Sequence, residues 1–375
     1  MGVAAGTRAV WVEVDLGAIR ANVATLAARV APAALVAVVK ADGYGHGAVP
    51  AARAALEGGA QWLAVAVPEE GAELRNADID ARILVLSEPT GASAPSLIAN
   101  NLTSVVYSYA GIEAVAKAAA ELGCRHWPVH LKVDTGMHRV GCAPDAALDL
   151  AQAIAARNEL FLEGLCTHFA VADEPGHEYT DQQLARFLQI QAVLARHDLR
   201  PALVHAANSA AVLHRPDAHF DLVRAGISIY GIAPSAALHG AAPLVPAISV
   251  KAKVSHVKEL AAGERVSYGL RYAMPRDGWV AVVPVGYADG VRRDYGLTGG
   301  EVLIGGVRHR VAGVVTMDQT IVDVGDAPVA VGDEVVLIGR QGDECITVDE
   351  WATRLSTIPY EVVCGIGPRV PRRYL

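Results

Sequence analysis

Residues 35–56 read LVAVVKADGYGHGAVPAARAAL and contain the unit that decides the fold. A short apolar run, residues 35–40, is followed by a glycine-rich turn and then by the alanine-rich stretch 48–56. The first run predicts a strand buried on both faces, and the second predicts a helix. A strand followed by a helix is the repeating unit of parallel α/β folds.

The same unit recurs along the chain as far as about residue 235. The further predicted strands cover residues 62–67, 82–86, 103–107, 128–133, 163–167, 202–206 and 221–224. Helices are predicted between them, as over 111–122, 146–157 and 181–197. Eight strands alternating with helices predict an α/β fold, an N-terminal (β/α)8 barrel of the TIM type. An open doubly wound sheet is the alternative, but no GxGxxG follows an early strand.

The pattern changes after about residue 240, at GAAPLVPAISV, which has two prolines and no charge. Alternating strands are predicted beyond it over 248–257, 279–285, 301–304, 307–315 and 334–338, with one short helix over 348–355. We therefore predict two domains. The barrel covers residues 1–240, and a mostly β domain covers 241–375.

Composition excludes several classes of protein. The chain has 375 residues, of which 52% are hydrophobic, and a formal net charge of −8. A mildly acidic chain without a basic stripe is a poor candidate for binding nucleic acid or anionic membranes. Five cysteines with no CxxC spacing predict reduced thiols and no metal site. The first residues lack a signal-peptide core, and no apolar run approaches the roughly 18 residues of a membrane span, so we expect a cytoplasmic protein.

Catalytic groups of such barrels lie at the carboxyl ends of the strands. One lysine, two arginines, several histidines and glycine-rich loops fall there, a set that could hold a phosphate and an aldehyde. Of the six lysines, only Lys40 ends an all-apolar strand and leads into a glycine-rich turn. That environment favours the neutral, nucleophilic amine. The alternative is a structural lysine whose tip reaches water from a strand end, and position alone does not decide.

Residues 38–47, VVKADGYGHG, resemble the lysine signature of alanine racemases, which are pyridoxal 5'-phosphate (PLP) enzymes of fold type III. The resemblance continues in WVEVDLGAIRAN, LKVDTGMHRVG, THFAVADE, VHAANSAA, VRAGISIYG, VSYG, VPVGYADG, VTMDQ and PRVPRRYL, which are spread over nearly the whole chain. It implies a barrel followed by a β domain, as the strand pattern also predicts. It further implies that the strand at about residues 10–14 joins the second domain.

The resemblance implies a role for each matching residue. Lys40 would carry PLP as a Schiff base (aldimine) and act as the base facing D-alanine, and Tyr268 would be the opposite base, facing L-alanine. Racemisation by this route needs two bases, because the proton leaves one face and returns to the other. Arg224 would bond the pyridine nitrogen, and His168 with Arg224 would favour the ionised phenol of Tyr268. A guanidinium does not readily give up a proton, so the ring nitrogen would stay unprotonated and transamination would be limited.

The remaining contacts are implied in the same way. Arg139 would contact the phenolic oxygen of PLP and the substrate carboxylate, and carbamylation of Lys132 would turn an ammonium into an anion that orients Arg139. Tyr287 and Met317 would line the substrate entrance. The residues implied to bind the cofactor phosphate and its surroundings are Tyr44, Asn208, Ser209, Gly226, Ile227 and Tyr360.

The partner implied is a second copy of the chain. Tyr268, Tyr287 and Met317 lie in the second domain, and in alanine racemases they act on the partner's barrel. The resemblance therefore implies a head-to-tail homodimer with two composite sites, acting on alanine and supplying D-alanine for peptidoglycan. Three positions depart from the commoner pattern: Pro359 precedes Tyr360 where Asn is frequent, Thr316 replaces Cys or Ser, and His138 is variable.

Two other functions share part of this pattern. A single-barrel PLP-binding protein without turnover would lack the β domain and Tyr268. A racemase of other or broader specificity, or a decarboxylase of the same barrel class, would share the barrel. Such decarboxylases generally have a longer chain, a catalytic cysteine in the second domain and an acidic residue at the pyridine nitrogen, where this sequence has Arg224.

Overall fold

A computed structural model describes residues 8–375 of the chain. The described residues form two compact units. The barrel unit contains Gly17–Gly43 and Ala48–Val245, and the β unit contains residues 8–16, Tyr44–Gly47 and Pro246–Leu375. Strands are numbered through the whole chain, starting with β1 (Val10–Val14) in the β unit.

Eight parallel strands make the barrel unit. They are β2 (Ala34–Val38), β3 (Trp62–Val65), β4 (Arg82–Val85), β5 (Thr103–Val106), β6 (Trp127–Lys132), β7 (Leu160–Cys166), β8 (Leu203–His205) and β9 (Leu222–Ala225). Their order in the sheet is β8-β7-β6-β5-β4-β3-β2-β9, and every pair is parallel. The backbone amide of Asp221, just before β9, donates to the carbonyl of Val204 in β8 at 3.1 Å, which brings the two ends together. The prediction of a parallel eight-stranded barrel is confirmed.

Helices alternate with these strands. They are α1 (Leu16–Val30), α2 (Ala48–Glu57), α3 (Pro68–Asn76), α4 (Ala94–Ala99), α5 (Tyr109–Glu121), α6 (Ala147–Ala155), α7 (Glu178–Arg196) and α8 (Ser209–His214). Their inner faces bury mainly alanine, valine, leucine and isoleucine, so helices and strands can approach closely with few aromatic residues. Ser108 starts α5 by accepting a hydrogen bond from the Gly111 amide at 3.0 Å, as an N-cap residue should.

The turn after β2 differs from the prediction. The strand ends at Val38, not at Lys40, and Lys40 opens a left-handed turn. Ala41, Asp42 and Tyr44 have φ values of 52°, 52° and 54°. Each such residue other than glycine costs about 1–2 kcal/mol of backbone strain, and strain of this kind clusters at functional sites. The Asp42 carboxylate accepts a hydrogen bond from the Ala48 amide at 2.8 Å, which fixes the exit of the turn into α2.

The β unit is built on a second, ten-stranded sheet. Besides β1, the strands of the β unit are β10 (Ile248–Lys253), β11 (His256–Leu260), β12 (Arg265–Val266), β13 (Tyr272–Ala273), β14 (Gly278–Val283), β15 (Glu301–Ile304), β16 (Val307–Val311), β17 (Thr320–Gly325), β18 (Glu334–Gln341), β19 (Glu344–Ile346) and β20 (Arg372–Tyr374). The sheet order is β11-β14-β17-β16-β15-β18-β10-β1-β20, with β19 on β18, and β12 pairs separately with β13. The mostly β character predicted for this region is confirmed.

Two predicted elements of the β unit were wrong. The strand predicted over 248–257 is two strands, because the chain changes partners between them. The Val254 amide donates to the Asp333 carbonyl at 2.9 Å, and the Ser255 amide donates to the Val282 carbonyl at 2.8 Å. A second helix, α10 (Pro359–Cys364), follows α9 (Val348–Arg354), although only one helix was predicted. Pro359 occupies the first helical position, where a missing N–H costs nothing.

No helix within residues 8–375 is both long enough and apolar enough to cross a lipid bilayer.

The barrel interior is polar at one level. Branched apolar side chains usually fill the inside of a TIM barrel, yet His130 on β6 and His205 on β8 are fully buried there. Space for the His130 ring comes from Gly164 on the neighbouring strand. A β-carbon at Gly164 would lie 2.5 Å from two atoms of that ring. The absence of a side chain at residue 164 is therefore a packing requirement.

Gly164→Ala should destabilise the protein by about 1–3 kcal/mol, because the added methyl group overpacks the interior. Gly91→Ala is the matched control, since no atom lies within 4 Å of a β-carbon built there. The control should be neutral or stabilise by at most about 1 kcal/mol. Urea unfolding of both variants measures the difference. Equal midpoints would show that the His130 ring moves aside without cost.

Candidate active site

A cluster of positive charge surrounds His168, just beyond the end of β7. Burial holds the pKa of His168 well below its usual range, and the charges of Arg224, Lys132, Arg139 and Lys40, in that order, lower it further. The imidazole is therefore neutral near pH 7. Four basic side chains around one half-buried ring make this part of the barrel unit suited to an anion.

Lys40 is held by the backbone on both sides. The Val39 amide donates to the Ala64 carbonyl on β3 at 2.9 Å. The Ala41 amide donates to the Glu70 carboxylate at 2.8 Å, and the same carboxylate accepts the Ala66 amide at 2.6 Å. Glu70 was not among the predicted site residues. It fixes the first residue of the left-handed turn and so the direction in which Lys40 leaves the barrel wall.

Arg224 is a buried guanidinium on β9. Its Nη2 donates to the carbonyls of Thr167 at 2.8 Å and Ala206 at 2.9 Å, and its Nη1 donates to His205 Nδ1 at 2.6 Å. Burial lowers its pKa. Within residues 8–375, no acceptor hydrogen-bonds to Nε. These bonds fix the plane of the guanidinium, and Nε–H and one Nη1–H have no hydrogen-bond acceptor among residues 8–375.

Hydroxyl groups and amides converge beside Arg224. The Ser209 hydroxyl accepts a hydrogen bond from the Gly226 amide at 2.8 Å and lies 3.1 Å from the Ser228 hydroxyl. Asn208 caps α8, since its side-chain oxygen accepts the Ala211 amide at 3.1 Å, and this places Ser209 at the first turn. Such a set of neutral donors suits a phosphate group. Ser228 was missed by the sequence interpretation, although it lies in the stretch VRAGISIYG next to the predicted Ile227.

Lys132 ends β6 and is nearly buried, with 8% of its surface exposed. Burial lowers its pKa; the neighbouring Cys166 opposes this, whereas the charges of Arg224 and Arg139 reinforce it. An ammonium is therefore unfavourable at this position.

Arg139 lies on the exposed loop after β6. The Asp134 carboxylate organises the loop by accepting hydrogen bonds from the amides of Gly136 at 2.9 Å and His138 at 3.1 Å. His138, immediately before Arg139, has a φ of 56°. The strained residue and the carboxylate together set where Arg139 leaves the loop.

Three predicted site residues of the β unit are exposed around one loop. Tyr268 is 70% exposed, Tyr287 42% and Met317 52%. The Tyr287 amide donates to the Thr316 carbonyl at 3.0 Å, next to Met317.

The backbone before Tyr268 is strained and tied to the same loop. Ser267 has a φ of 63°, and its hydroxyl donates to the Val314 carbonyl at 2.6 Å. A strained serine holding an exposed tyrosine is typical of a functional loop.

Tyr44 and Tyr360 form a separate pair in the β unit. Their ring centroids lie 6.1 Å apart with an angle of 50° between the planes, and Tyr44 is buried. The structure thus groups the predicted site residues in two sets. The barrel unit holds Lys40, Lys132, Arg139, His168, Asn208, Ser209, Arg224, Gly226 and Ile227, and the β unit holds Tyr44, Tyr268, Tyr287, Met317 and Tyr360.

Comparison with known proteins gives a consistent result. A family model described as "Alanine racemase, N-terminal domain" matches residues 14–234, and "Alanine racemase, C-terminal domain" matches residues 247–374. The chain is 48% identical over 370 residues to the alanine racemase of Symbiobacterium thermophilum, covering 98% of each chain.

Solved structures agree over the same length. The structure of alanine racemase from D-cycloserine-producing Streptomyces lavendulae matches with a TM-score of 0.94 and 41% identity, over 99% of this chain and 98% of that one. The histidine racemase of Leuconostoc mesenteroides matches with a TM-score of 0.89 and 30% identity, over 99% of each chain. Full-length matches to both domain models and to these relatives show that the chain belongs to the alanine racemase family.

Proposed function

We propose that this protein interconverts L-alanine and D-alanine with PLP, using Lys40 and Tyr268 as its two bases. Alanine racemases depend on PLP, and the observation that carries the proposal is the convergence of Lys40, Arg139 and Arg224 on the neutral His168. The neutral amine of a lysine is the form that can bond to an aldehyde or accept a proton. The biological role that follows from this activity is the supply of D-alanine for peptidoglycan.

The donors of the barrel unit fit this cofactor. PLP, when bound, withdraws electrons from the substrate and makes its α-proton acidic. We assign the phosphate to Ser209, Ser228 and the amides of Gly226 and Ile227. The Gly226 amide and the Ser228 hydroxyl donate to the Ser209 oxygen here, so each would turn from it to the phosphate.

Arg224 fits the pyridine nitrogen, because its Nε–H has no acceptor within residues 8–375. A guanidinium remains a donor at any ordinary pH, so Arg224 would hold the ring nitrogen without protonating it. We assign Asn208 to the positioning of Ser209, whose helix it caps.

Tyr268 is assigned as the base on the face of the substrate α-carbon opposite Lys40. A racemase must remove the α-proton from either face, so a second base is required. We infer that Tyr268 acts in the barrel of a second copy, in a head-to-tail homodimer. Exposure of Tyr268, Leu270, Tyr287 and Met317 in one unit supports this, since clustered exposed apolar side chains mark contact surfaces. Tyr287 and Met317 would line the substrate entrance.

Arg139 is assigned to the substrate carboxylate and the phenolic oxygen of PLP, with Lys132 behind it. We propose that Lys132 is carbamylated: the neutral amine adds to the carbon of CO₂ and releases one proton, leaving an anion. The lowered pKa of Lys132, caused first by burial, makes the neutral amine available. A carbamate also gives Arg139 a counter-charge in place of repulsion.

Tyr44 and Tyr360 complete the proposal as phosphate ligands, each through its phenol. We place the protein in the cytoplasm, where five free cysteines such as these remain reduced. A racemase of another amino acid is the second candidate, because the histidine racemase of Leuconostoc mesenteroides shares the whole fold.

The cofactor assignment predicts a covalent link at Lys40. Borohydride should fix PLP onto the peptide containing Lys40, and Lys40→Ala should lose that label. Racemisation should fall by at least about 10²–10⁴-fold, the usual contribution of an acid–base group. Lys117→Ala is the control, because Lys117 is a surface lysine with a 72% exposed side chain. A label on another residue, or full turnover in Lys40→Ala, would contradict the assignment.

The second base can be tested one face at a time. Tyr268→Phe should slow the loss of α-deuterium from L-alanine by about 10²–10⁴-fold, while exchange from D-alanine, which relies on Lys40, continues. NMR of each deuterated enantiomer in water measures the two rates. Tyr109→Phe, at a tyrosine that is 62% exposed on α5, should change neither. Unchanged exchange from L-alanine in Tyr268→Phe removes this residue from the scheme.

Carbamylation of Lys132 predicts a carbon resonance that depends on one residue. Protein equilibrated with ¹³CO₂ should show a carbamate signal in ¹³C NMR, since neutral amines add CO₂. Lys132→Ala should lose the signal and Lys117→Ala should keep it. Identical spectra for the two variants would rule out the modification at Lys132.

A further inference from the structure

Arg224 is buried, and no carboxylate among residues 8–375 accepts a hydrogen bond from it. It is 6% exposed, and its hydrogen-bond acceptors within residues 8–375 are the carbonyls of Thr167 and Ala206 and the rings of His168 and His205. All four are neutral groups, because burial and nearby positive charge lower the pKa of both histidines. A buried cation normally has a nearby anion, so the compensation for this charge must come from further away.

A continuous chain of hydrogen bonds leads from Arg224 to an anion. Arg224 Nη1 lies 2.6 Å from His205 Nδ1, and His205 Nε2 lies 2.8 Å from His130 Nδ1. His130 Nε2 then lies 3.2 Å from the Glu163 carboxylate. Arg82 Nη2 contacts both oxygens of Glu163 at 2.6 Å. We call Arg224, His205, His130, Glu163 and Arg82 the interior relay.

The two ends of the interior relay determine where its protons sit. A guanidinium can only donate, and an ionised carboxylate can only accept. His205 must therefore accept at Nδ1 and carry its proton on Nε2. His130 must accept that proton at Nδ1 and in turn donate from Nε2 to Glu163. Only neutral rings that are both protonated on Nε2 satisfy every bond.

Burial supports these protonation states. Desolvation lowers the pKa of His130, although Glu163 partly opposes the shift. The Glu163 carboxyl group is itself partly desolvated, which raises its pKa. The hydrogen bonds from His130 and Arg82 outweigh this, so the pKa of Glu163 is lowered overall. The anion at the far end is thus retained near pH 7, and the two rings remain uncharged.

The interior relay runs along the barrel, from one end of the strands to the other. Arg224 and His205 lie at the carboxyl ends of β9 and β8, where the candidate site is. Arg82 is the first residue of β4, at the amino end, and its side chain is 47% exposed. The Trp62 ring packs against it, 3.7 Å below the guanidinium carbon. The Arg82 end of the interior relay therefore lies at the opposite end of the barrel from the candidate site.

We propose that Glu163 and His130 are positioning residues for the cofactor site, because they fix the His205 ring as an acceptor toward Arg224. This inference rests on the proposed role of Arg224 at the pyridine nitrogen. Glu163 is the distant counter-charge of Arg224. Because its carboxylate can only accept, each imidazole between them donates toward Glu163 and accepts from the side of Arg224. With the relay intact, Arg224 is held in one plane and stays a pure donor.

Breaking the relay should change the products of the reaction as well as its rate. A His205 ring protonated on Nδ1 would face the guanidinium with an N–H group and displace it. The pyridine nitrogen would then lose its non-acidic partner and could take a proton from water. A protonated ring favours transamination, in which the alanine is oxidised to pyruvate and its amino group passes to the cofactor, which is reduced to pyridoxamine phosphate.

The test uses the PLP-loaded protein and two substitutions at His130. In His130→Phe the ring volume is kept but His205 loses its acceptor. In His130→Gln the amide oxygen accepts from His205 and the amide nitrogen donates to Glu163, so the polarity is restored. Long-range ¹H–¹⁵N spectra report the proton position on His205, and pyruvate formed per D-alanine reports the partition.

Wild type and His130→Gln should show His205 protonated on Nε2 and the lower pyruvate ratio. His130→Phe should show mixed protonation of His205 and a ratio raised by about tenfold, the size expected for loss of one hydrogen bond to a charged group. Glu163→Leu should give the same proton position and pyruvate ratio as His130→Phe. It replaces His130→Phe in the test if His130→Phe does not fold. Glu113→Leu is its control, because Glu113 pairs with Arg157 on the surface.

The proposal is overturned if folded His130→Phe and Glu163→Leu keep the wild-type proton position on His205. It is also overturned if the proton position changes while the pyruvate ratio does not, since His205 would then not govern Arg224. Failure of the proposed function would look different, because wild type itself would make no D-alanine from L-alanine. The spectra of His205 would remain informative in that case.

Discussion

Positive charge gathered at the carboxyl ends of the barrel strands is the constraint on which the rest of the structure depends. Lys40, Lys132, Arg139 and Arg224 all act on the same neutral imidazole, that of His168. Such a group of cations is stable only if its members are held apart, hydrogen-bonded or supplied with anions. Backbone carbonyls hold Arg224, the turn anchored by Glu70 fixes Lys40, and the Asp134 loop carries Arg139. An anionic cofactor and a substrate carboxylate would relieve the repulsion that remains, which links binding to stability.

The fold was largely predictable because it follows from periodicity. Short apolar runs alternating with alanine-rich stretches gave all eight barrel strands, since strands buried on both faces must be apolar. The errors occur where the chain exchanges partners without a change in composition. Residues 248–257 read as one strand, yet Val254 and Ser255 bond to different neighbours, a non-local event that a single strand's sequence does not contain. The left-handed turn at Lys40 was missed as well, because Ala41 and Asp42 carry no sign of positive φ.

The residues of the candidate site could be proposed from the sequence, but the hydrogen bonds that connect them could not. Lys40, Ser209 and Arg224 stand in long characteristic motifs, so their positions could be assigned from the resemblance. The interior relay could not, because His130 and Glu163 are single polar residues in otherwise apolar strands. Their pairing depends on the closure of the barrel, which brings β6, β7, β8 and β9 around one axis. How the barrel-unit residues and Tyr268 meet stays a prediction.

The position of the first strand has a consequence for biosynthesis. β1 lies between β10 and β20, pairing Val12 with Val250 on one side and with Arg372 on the other. During translation β1 leaves the ribosome before the barrel strands do, whereas its neighbours β10 and β20 are made only after them. The barrel strands would therefore be complete while β1 was still an unpaired apolar strand. β20 follows the other strands of the β unit along the chain, so the sheet around β1 can become whole only after the barrel and those strands have been made.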